Sequence, residues 1–278
     1  MKLSRRRALG GLMAAGLVAG CGGAGGGRGG PPGLMHPRML QAADHRAPGI
    51  PARFGDTDPH EWQGHRPDLY PVHGIDAARY QGPIDFGRAR AAGVAFAWLK
   101  ATEGGDRVDP GFEMNARAAR RAGVPVGAYH FYYFCRSPED QARWFLRNVP
   151  RKAGDLPPVL DIEWNHTSPS CRLRPPAVET RARMRRFLAI VGDHYGTRPV
   201  IYTTIDFFRD NDLQHFDGYE MWLRSVAGDP AERYPGTRWT FWQYSGTGVV
   251  PGVAGNVDLN AFAGSAEEWQ AWLARRSQ

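Results

Sequence analysis

From residue 72 onward, short runs rich in β-favouring apolar residues alternate with helical stretches, the pattern of an α/β chain with a mainly parallel sheet. Eight strands are expected, near residues 72–76, 95–100, 126–131, 157–164, 199–203, 220–223, 240–244 and 256–260. The helices between them carry their own boundaries. One spans about 85–92 and stops at Gly93; Asp109-Pro110 reads as an N-cap with proline at the first helical position, and Gly123 ends that helix. Ser137-Pro138-Glu139-Asp140 opens a helix to about residue 149, a long helix covers 177–195 before Gly196, and Ser265-Ala266-Glu267-Glu268 is a capping box for a C-terminal helix. Strands and helices in this number predict a small or incomplete (β/α) barrel, since the last connections are too short for full helices; an open doubly wound sheet is the alternative. No glycine-rich phosphate loop follows the first strand, which argues against a nucleotide site.

The fourth strand carries an anomaly. In Pro157-Pro158-Val159-Leu160-Asp161-Ile162-Glu163-Trp164, alternation points Val159, Asp161 and Glu163 to one face and Leu160, Ile162 and Trp164 to the other. Strands in such a pattern are covered on both faces, where two carboxylates are costly unless they are used. A barrel supplies the use, because its active site is built at the C-terminal ends of the strands. Acidic residues gather at those ends: Asp76 on the first strand, Glu103 after the second, Asp161 and Glu163 on the fourth, Asp258 on the last. Lys100, Tyr129, His130, Trp164, Gln243 and Tyr244 accompany them, and aromatic rings there offer flat platforms for sugars. Each also has a plain structural reading, Lys100 as the ion-pair partner of Glu103, Tyr129 and His130 as satisfied core groups, and Asp258 as a cap.

The N-terminus reads as an address. Lys2 and Arg5-Arg6-Arg7 precede a small-residue apolar run from Ala8 to Gly20, the layout of an export signal, and Ser4 to Leu9 resembles a twin-arginine motif. Val18-Ala19-Gly20-Cys21 resembles a lipobox, which would leave Cys21 as a lipid-modified N-terminus; the alternative is an ordinary cleaved signal with an incidental cysteine. Residues 1–21 are therefore expected to be the export signal, 22–70 a Gly/Pro-rich linker whose later part lies against the domain, and 71–278 one α/β domain. Loss of the four cations in residues 1–21 takes the formal net charge from +7 to +3. That balance, without a Lys/Arg block, predicts no nucleic-acid partner. Cys135 and Cys171 lie just past expected strand ends; in an exported protein such a pair can bridge or stay as two thiols, and no His or Cys cluster at ligand spacing accompanies them to hold a metal. Neither a metal nor another cofactor is expected.

Seven segments then stand together: Gly74-Ile75-Asp76, Tyr80-Gln81-Gly82, Lys100-Ala101-Thr102-Glu103-Gly104, Gly127-Ala128-Tyr129-His130-Phe131, Leu160-Asp161-Ile162-Glu163, Trp242-Gln243-Tyr244 and Val257-Asp258. In order and spacing, over residues 71–262, they resemble glycoside hydrolase family 25, the lysozymes of the Chalaropsis type. The resemblance implies a single flattened, irregular (β/α)8-like barrel that cuts the β-1,4 bond between N-acetylmuramic acid and N-acetylglucosamine. Its acidic site residues fall on Asp76, Asp161, Glu163 and Asp258. The chain departs from the family pattern at Ala77-Ala78-Arg79, and at Trp222-Leu223-Arg224-Ser225 where members carry Trp-x-Ala-x-Tyr.

Roles follow from the chemistry. Glycoside cleavage needs one protonated carboxyl as general acid and a second group that stabilises or attacks the cationic centre. Glu163, nearest the strand end and beside Asp161, is expected to be the acid. An i, i+2 pair on one strand has backbones ~6.6 Å apart and need not flank the sugar. That geometry suits a substrate-assisted course in which Asp161 orients the acetamido group, with Asp76 and Asp258 positioning that group or a water. The expected partners are peptidoglycan strands and, through Cys21, a membrane, with the chain acting as a monomer in the cell envelope. A non-catalytic wall-binding protein on the same scaffold and a glycosidase of other specificity, such as one for chitin, are the competing readings.

Overall fold

The computed structural model describes residues 49–277, so the expected export signal, Cys21 and the first part of the expected linker lie outside the described residues. Eight strands close into a barrel. The chain enters through a two-residue strand β1 (Gly55–Asp56), which is not one of the eight, and passes to β2 (His73–Ala77) and helix α1 (Phe86–Ala92). Then come β3 (Phe96–Glu103), a short β4 (Arg107–Val108) folded back on its end, α2 (Phe112–Ala122), β5 (Val126–Phe131), α3 (Pro138–Asn148), β6 (Val159–Asp161), α4 (Ala177–Tyr195) and β7 (Val200–Thr203). The last connections shrink as expected: α5 (Ile205–Asp210), β8 (Met221–Arg224), a four-residue α6 (Pro230–Arg233), β9 (Phe241–Val249), β10 (Val257–Phe262) and α7 (Ala266–Arg276).

Local chemistry explains most boundaries. Asp85 and Ser137 cap α1 and α3 by accepting from the backbone N–H three residues on, and Ser265 with Glu268 forms the reciprocal box at α7. Gly93, Gly123 and Gly196 end their helices in the left-handed conformation that a Cβ would strain. The start of α2 differs from expectation. Asp109 is not its cap; the carboxylate instead accepts from the N–H groups of Gly111 and Arg79, tying the loop after β2 to the next connection.

Strand alternation separates two cores. Outward residues such as Ile75, Leu99, Leu160, Ile162, Leu223 and Tyr244 pack in one layer with residues of helices α1–α5. Inward residues Phe96, Trp98, Val159, Tyr202, Trp222 and Phe241 fill the barrel, and Trp269 and Trp272 of α7 join them from below. Trp98 stacks on Trp222 with centroids 4.9 Å apart, and Trp98 and Phe241 meet edge to face at 4.6 Å. Rings of this size fit only because neighbouring inward positions are empty of side chain. A Cβ at Gly74 would lie 2.5 Å from the Phe96 ring, and one at Gly127 2.5 Å from the Trp98 indole nitrogen.

Seven barrel strands are parallel, but β10 is antiparallel to both β9 and β2. The connection between Val249 and Val257 is too short for a crossover, so the chain turns back as a hairpin. This corrects one expectation: Asp258 lies at the start of its strand, not its C-terminal end, and reversal brings it to the same mouth as the others. Its backbone pairs directly with Asp76.

The later part of the 22–70 segment does lie against the barrel. β1 adds to the protruding end of β9, Thr247 Oγ1 donates to Asp56 at 2.6 Å, and Trp62 meets Trp242 edge to face at 5.0 Å. On the opposite wall, Cys135 and Cys171 are bonded, joining the loop after β5 to the loop after β6 across 36 residues. The second loop supplies Asn165, Thr167, Ser168 and Pro169 to the cleft described below. A bridge closing a loop of that length restricts the unfolded chain by ~3–4 kcal/mol. The Cys135→Ser/Cys171→Ser variant is therefore expected to lose about that much stability in urea titration; an unchanged midpoint would remove the bridge from the account.

Candidate active site

The mouth of the barrel holds a cleft of 640 Å³ lined by Asp76, Asp161, Glu163 and Asp258 together with Lys100, Glu103, Tyr129 and Gln243. The four acids that the family resemblance singled out, Asp76, Asp161, Glu163 and Asp258, meet there because their positions share inward alternation and the mouth-side end of their strands.

Asp76 is the most tightly held. Its Oδ2 accepts from Gln243 Nε2 at 2.9 Å and from Asn260 Nδ2 at 2.8 Å. Those amides are themselves oriented, since Tyr202 Oη donates to Gln243 Oε1 at 2.9 Å and Trp222 Nε1 to Asn260 Oδ1 at 2.7 Å. Burial raises the Asp76 pKa, while the two amides and a hydrogen bond from Asp258 pull it back. Burial and the adjacent Asp76 push Asp258 up to about 8, so the proton between these two carboxyls rests on Asp258.

Asp161 and Glu163 form a second pair. Burial first, and the neighbouring Glu163 next, hold the Asp161 carboxyl well above the usual range. Its Oδ1 is buried and has no hydrogen-bond partner among the described residues. A buried acceptor left open costs ~1–3 kcal/mol unless a ligand completes it. Burial lifts Glu163 to about 7, with Arg224 and Lys100 opposing and Asp206 assisting. Glu163 is also less enclosed than Asp161, at the rim where a leaving group can reach it. Lys100 and Glu103 are an ion pair, as their structural reading had it, with the Lys100 ammonium 4.7 Å from the centroid of the Phe131 ring.

Residues 75–253 match the sequence pattern of the Glycosyl hydrolases family 25. The chain belongs to glycosyl hydrolase family 25. Among its relatives, the uncharacterized protein YegX of Escherichia coli K12 is 38% identical over 215 residues, covering 74% of this chain and 75% of its own. Lysozyme M1 of Streptomyces globisporus is 37% identical over 214 residues, 72% of this chain and 70% of that one. Of solved structures, a family 25 glycosyl hydrolase from Bacillus anthracis superposes with a TM-score of 0.69 at 32% identity, over 78% of this chain and 98% of its own. A bacterial lysozyme from Streptomyces coelicolor does so at 0.65 and 34%, over 73% and 97%.

Within this family 25 barrel, three residues expected at the site do not line the cleft, although Trp164 borders the pocket beside it. His130 is fully enclosed between Thr102 Oγ1 at 2.7 Å and Gln141 Oε1 at 3.2 Å, stacked on Phe187, and burial drives its pKa down to about 3. Trp164 packs on Phe134 and Phe207 and donates from Nε1 to Asp210 at 2.7 Å. Tyr244 is buried against His73, its hydroxyl 3.1 Å from Nδ1. Each sits one residue from an inward position, and alternation sends it to the helical layer. Four other residues of the mouth were not singled out as site residues. Tyr202, Trp222 and Asn260 orient the Asp76 network, and Arg224 lines the cleft beside Glu163. All four have inward alternation, which is the signal that would have found them.

Proposed function

We propose that this family 25 glycoside hydrolase is a peptidoglycan N-acetylmuramidase, cutting the β-1,4 bond between N-acetylmuramic acid and N-acetylglucosamine. The observation that carries the reading is the pairing of a carboxyl held near neutrality, Glu163, with a buried carboxyl oxygen on Asp161 that has no hydrogen-bond partner among the described residues. Relatives named lysozyme on the same barrel support the substrate class. Glu163 donates its proton to the leaving glycosidic oxygen while the substrate's acetamido oxygen attacks C1 from the other face. Burial favours the protonated form of Asp161; accepting the acetamido N–H at its open Oδ1 favours the carboxylate, which then steadies the cyclic cation. Glu163, now a carboxylate, takes a proton from the water that opens the ring, and the anomeric configuration is retained. Asp76, fixed by Gln243 and Asn260, and Asp258, protonated beside it, hold the sugar or that water.

The cleft is complete within one chain, which supports action as a monomer. The lipobox-like Val18-Ala19-Gly20-Cys21 supports export and lipid anchoring in the cell envelope, where the substrate lies; fatty-acid labelling that persists in Cys21→Ala would refute the anchor. Digestion of purified peptidoglycan is expected to release fragments ending in reducible muramic acid. Binding without release would favour a wall-binding protein, and cleavage confined to chitin would favour the other specificity.

A further inference from the structure

A second cavity of 460 Å³ adjoins the cleft and shares Glu163, Thr204 and Arg224 with it. Three guanidinium groups from different elements converge on it: Arg209 of α5, Arg224 of β8 and Arg233 of α6. The side chains of Arg209 and Arg224 make no hydrogen bond or ion pair among the described residues. Arg233 donates through Nη2 to the Ala227 carbonyl and keeps its other N–H groups. The acidic groups at this pocket are already engaged. Asp206 accepts from Thr204 Oγ1 at 2.7 Å and pairs with His166 Nε2 at 3.2 Å, and Arg174 Nη2 donates to His166 Nδ1 at 2.6 Å. Glu163 is the other carboxyl lining this pocket; Arg224 also lowers the pKa values of Asp76 and Asp258 across the cleft, without an ion-pair contact to either among the described residues.

Arginine is the side chain whose planar fork matches a carboxylate, and an unpaired fork beside the scissile position is a seat for one. We propose that this side pocket, centred on Arg224 and Arg209, binds a carboxylate of the substrate strand and thereby selects acidic glycans over neutral ones. The inference rests on the muramidase reading. In peptidoglycan the carboxylate has two sources, the lactyl group of muramic sugars that carry no peptide and the acidic residues of the stem peptide on those that do. Chitin has neither.

The test compares the full-length chain with Arg209→Gln and Arg224→Gln on four substrates: stem-bearing glycan, glycan stripped of its peptides, and each of these with carboxylates converted to methylamides. The ratio of kcat/KM for acid over amide is the readout. The wild type is expected to prefer the acid forms about tenfold, and both variants to bring the ratio close to one. Preference retained on stripped glycan assigns the pocket to the lactyl group; preference only on stem-bearing glycan assigns it to the peptide. Equal rates of wild type on acid and amide forms, or losses in the variants that are the same on both, would overturn the side pocket and leave the muramidase reading standing. No release of reducing ends from any substrate would overturn that reading and this inference with it. Arg209 is exposed, so its substitution tests the pocket without disturbing the fold.

Discussion

Glu163→Gln is expected to slow peptidoglycan hydrolysis by about 10³-fold or more while the chain still binds glycan strands, because the amide keeps the shape of the acid and cannot deliver its proton. The loss belongs in kcat, since no ground-state contact depends on that proton. The wild type should also lose kcat as pH rises past about 7, where Glu163 gives up its proton, and the variant's residual rate should not follow that limb. The same substitution has a stability consequence of definite sign. The folded-state pKa of Glu163 lies above its unfolded value, so the group's contribution is fully present below the unfolded pKa, near 4, and is lost as pH rises through about 7. Glutamine has no such dependence. The variant should therefore melt higher than the wild type at pH 8, by on the order of 2–4 °C per kcal/mol relieved, and no higher at pH 4. Full activity in the variant would dismiss Glu163 as the acid; a melting gain equal at both pH values would dismiss the burial of its charge as the cause.

The distribution of site residues shows what alternation can and cannot convey. Asp76, Lys100, Tyr129, Asp161, Glu163, Gln243 and Asp258 all line the cleft, and each has inward alternation. His130, Trp164 and Tyr244 sit beside inward residues and were grouped with them by proximity, although the period of two that separated Asp161 from Ile162 applies to them as well. The reversal of β10 was equally legible, because the connection after β9 is too short for a crossover. Other features needed the folded chain. Arg209, Arg224 and Arg233 lie on three elements whose meeting depends on how α5 and α6 leave the barrel, and no periodicity encodes that. Likewise Cys135 and Cys171 could have remained two thiols until β5 and β6 proved to be neighbours.

Asp161 is where the geometry makes its most discriminating demand. Asp161→Asn is expected to lower kcat by about 10²–10³-fold with little change in KM, because the amide keeps the volume but cannot ionise as the acetamido group engages it and the cation develops. A substrate whose acetamido group has been removed should fare as badly with the wild type, having lost the partner of the open Oδ1. If both changes break one interaction, their combination costs no more than either alone, whereas independent effects would multiply. The measurement is a cycle of four rates, wild type and Asp161→Asn on acetylated and de-N-acetylated glycan. Proton NMR of the newly released anomer supplies an independent check, with the β configuration expected at first appearance. Multiplying losses would detach Asp161 from the acetamido group, and an α product would require a water attacking from the face opposite the leaving group. The i, i+2 placement of Asp161 and Glu163 at the end of β6 disfavours that outcome, because both side chains project to one side, while Asp76 is engaged by Gln243 and Asn260 and Asp258 keeps its proton up to about pH 8, so neither is a free base for such a water.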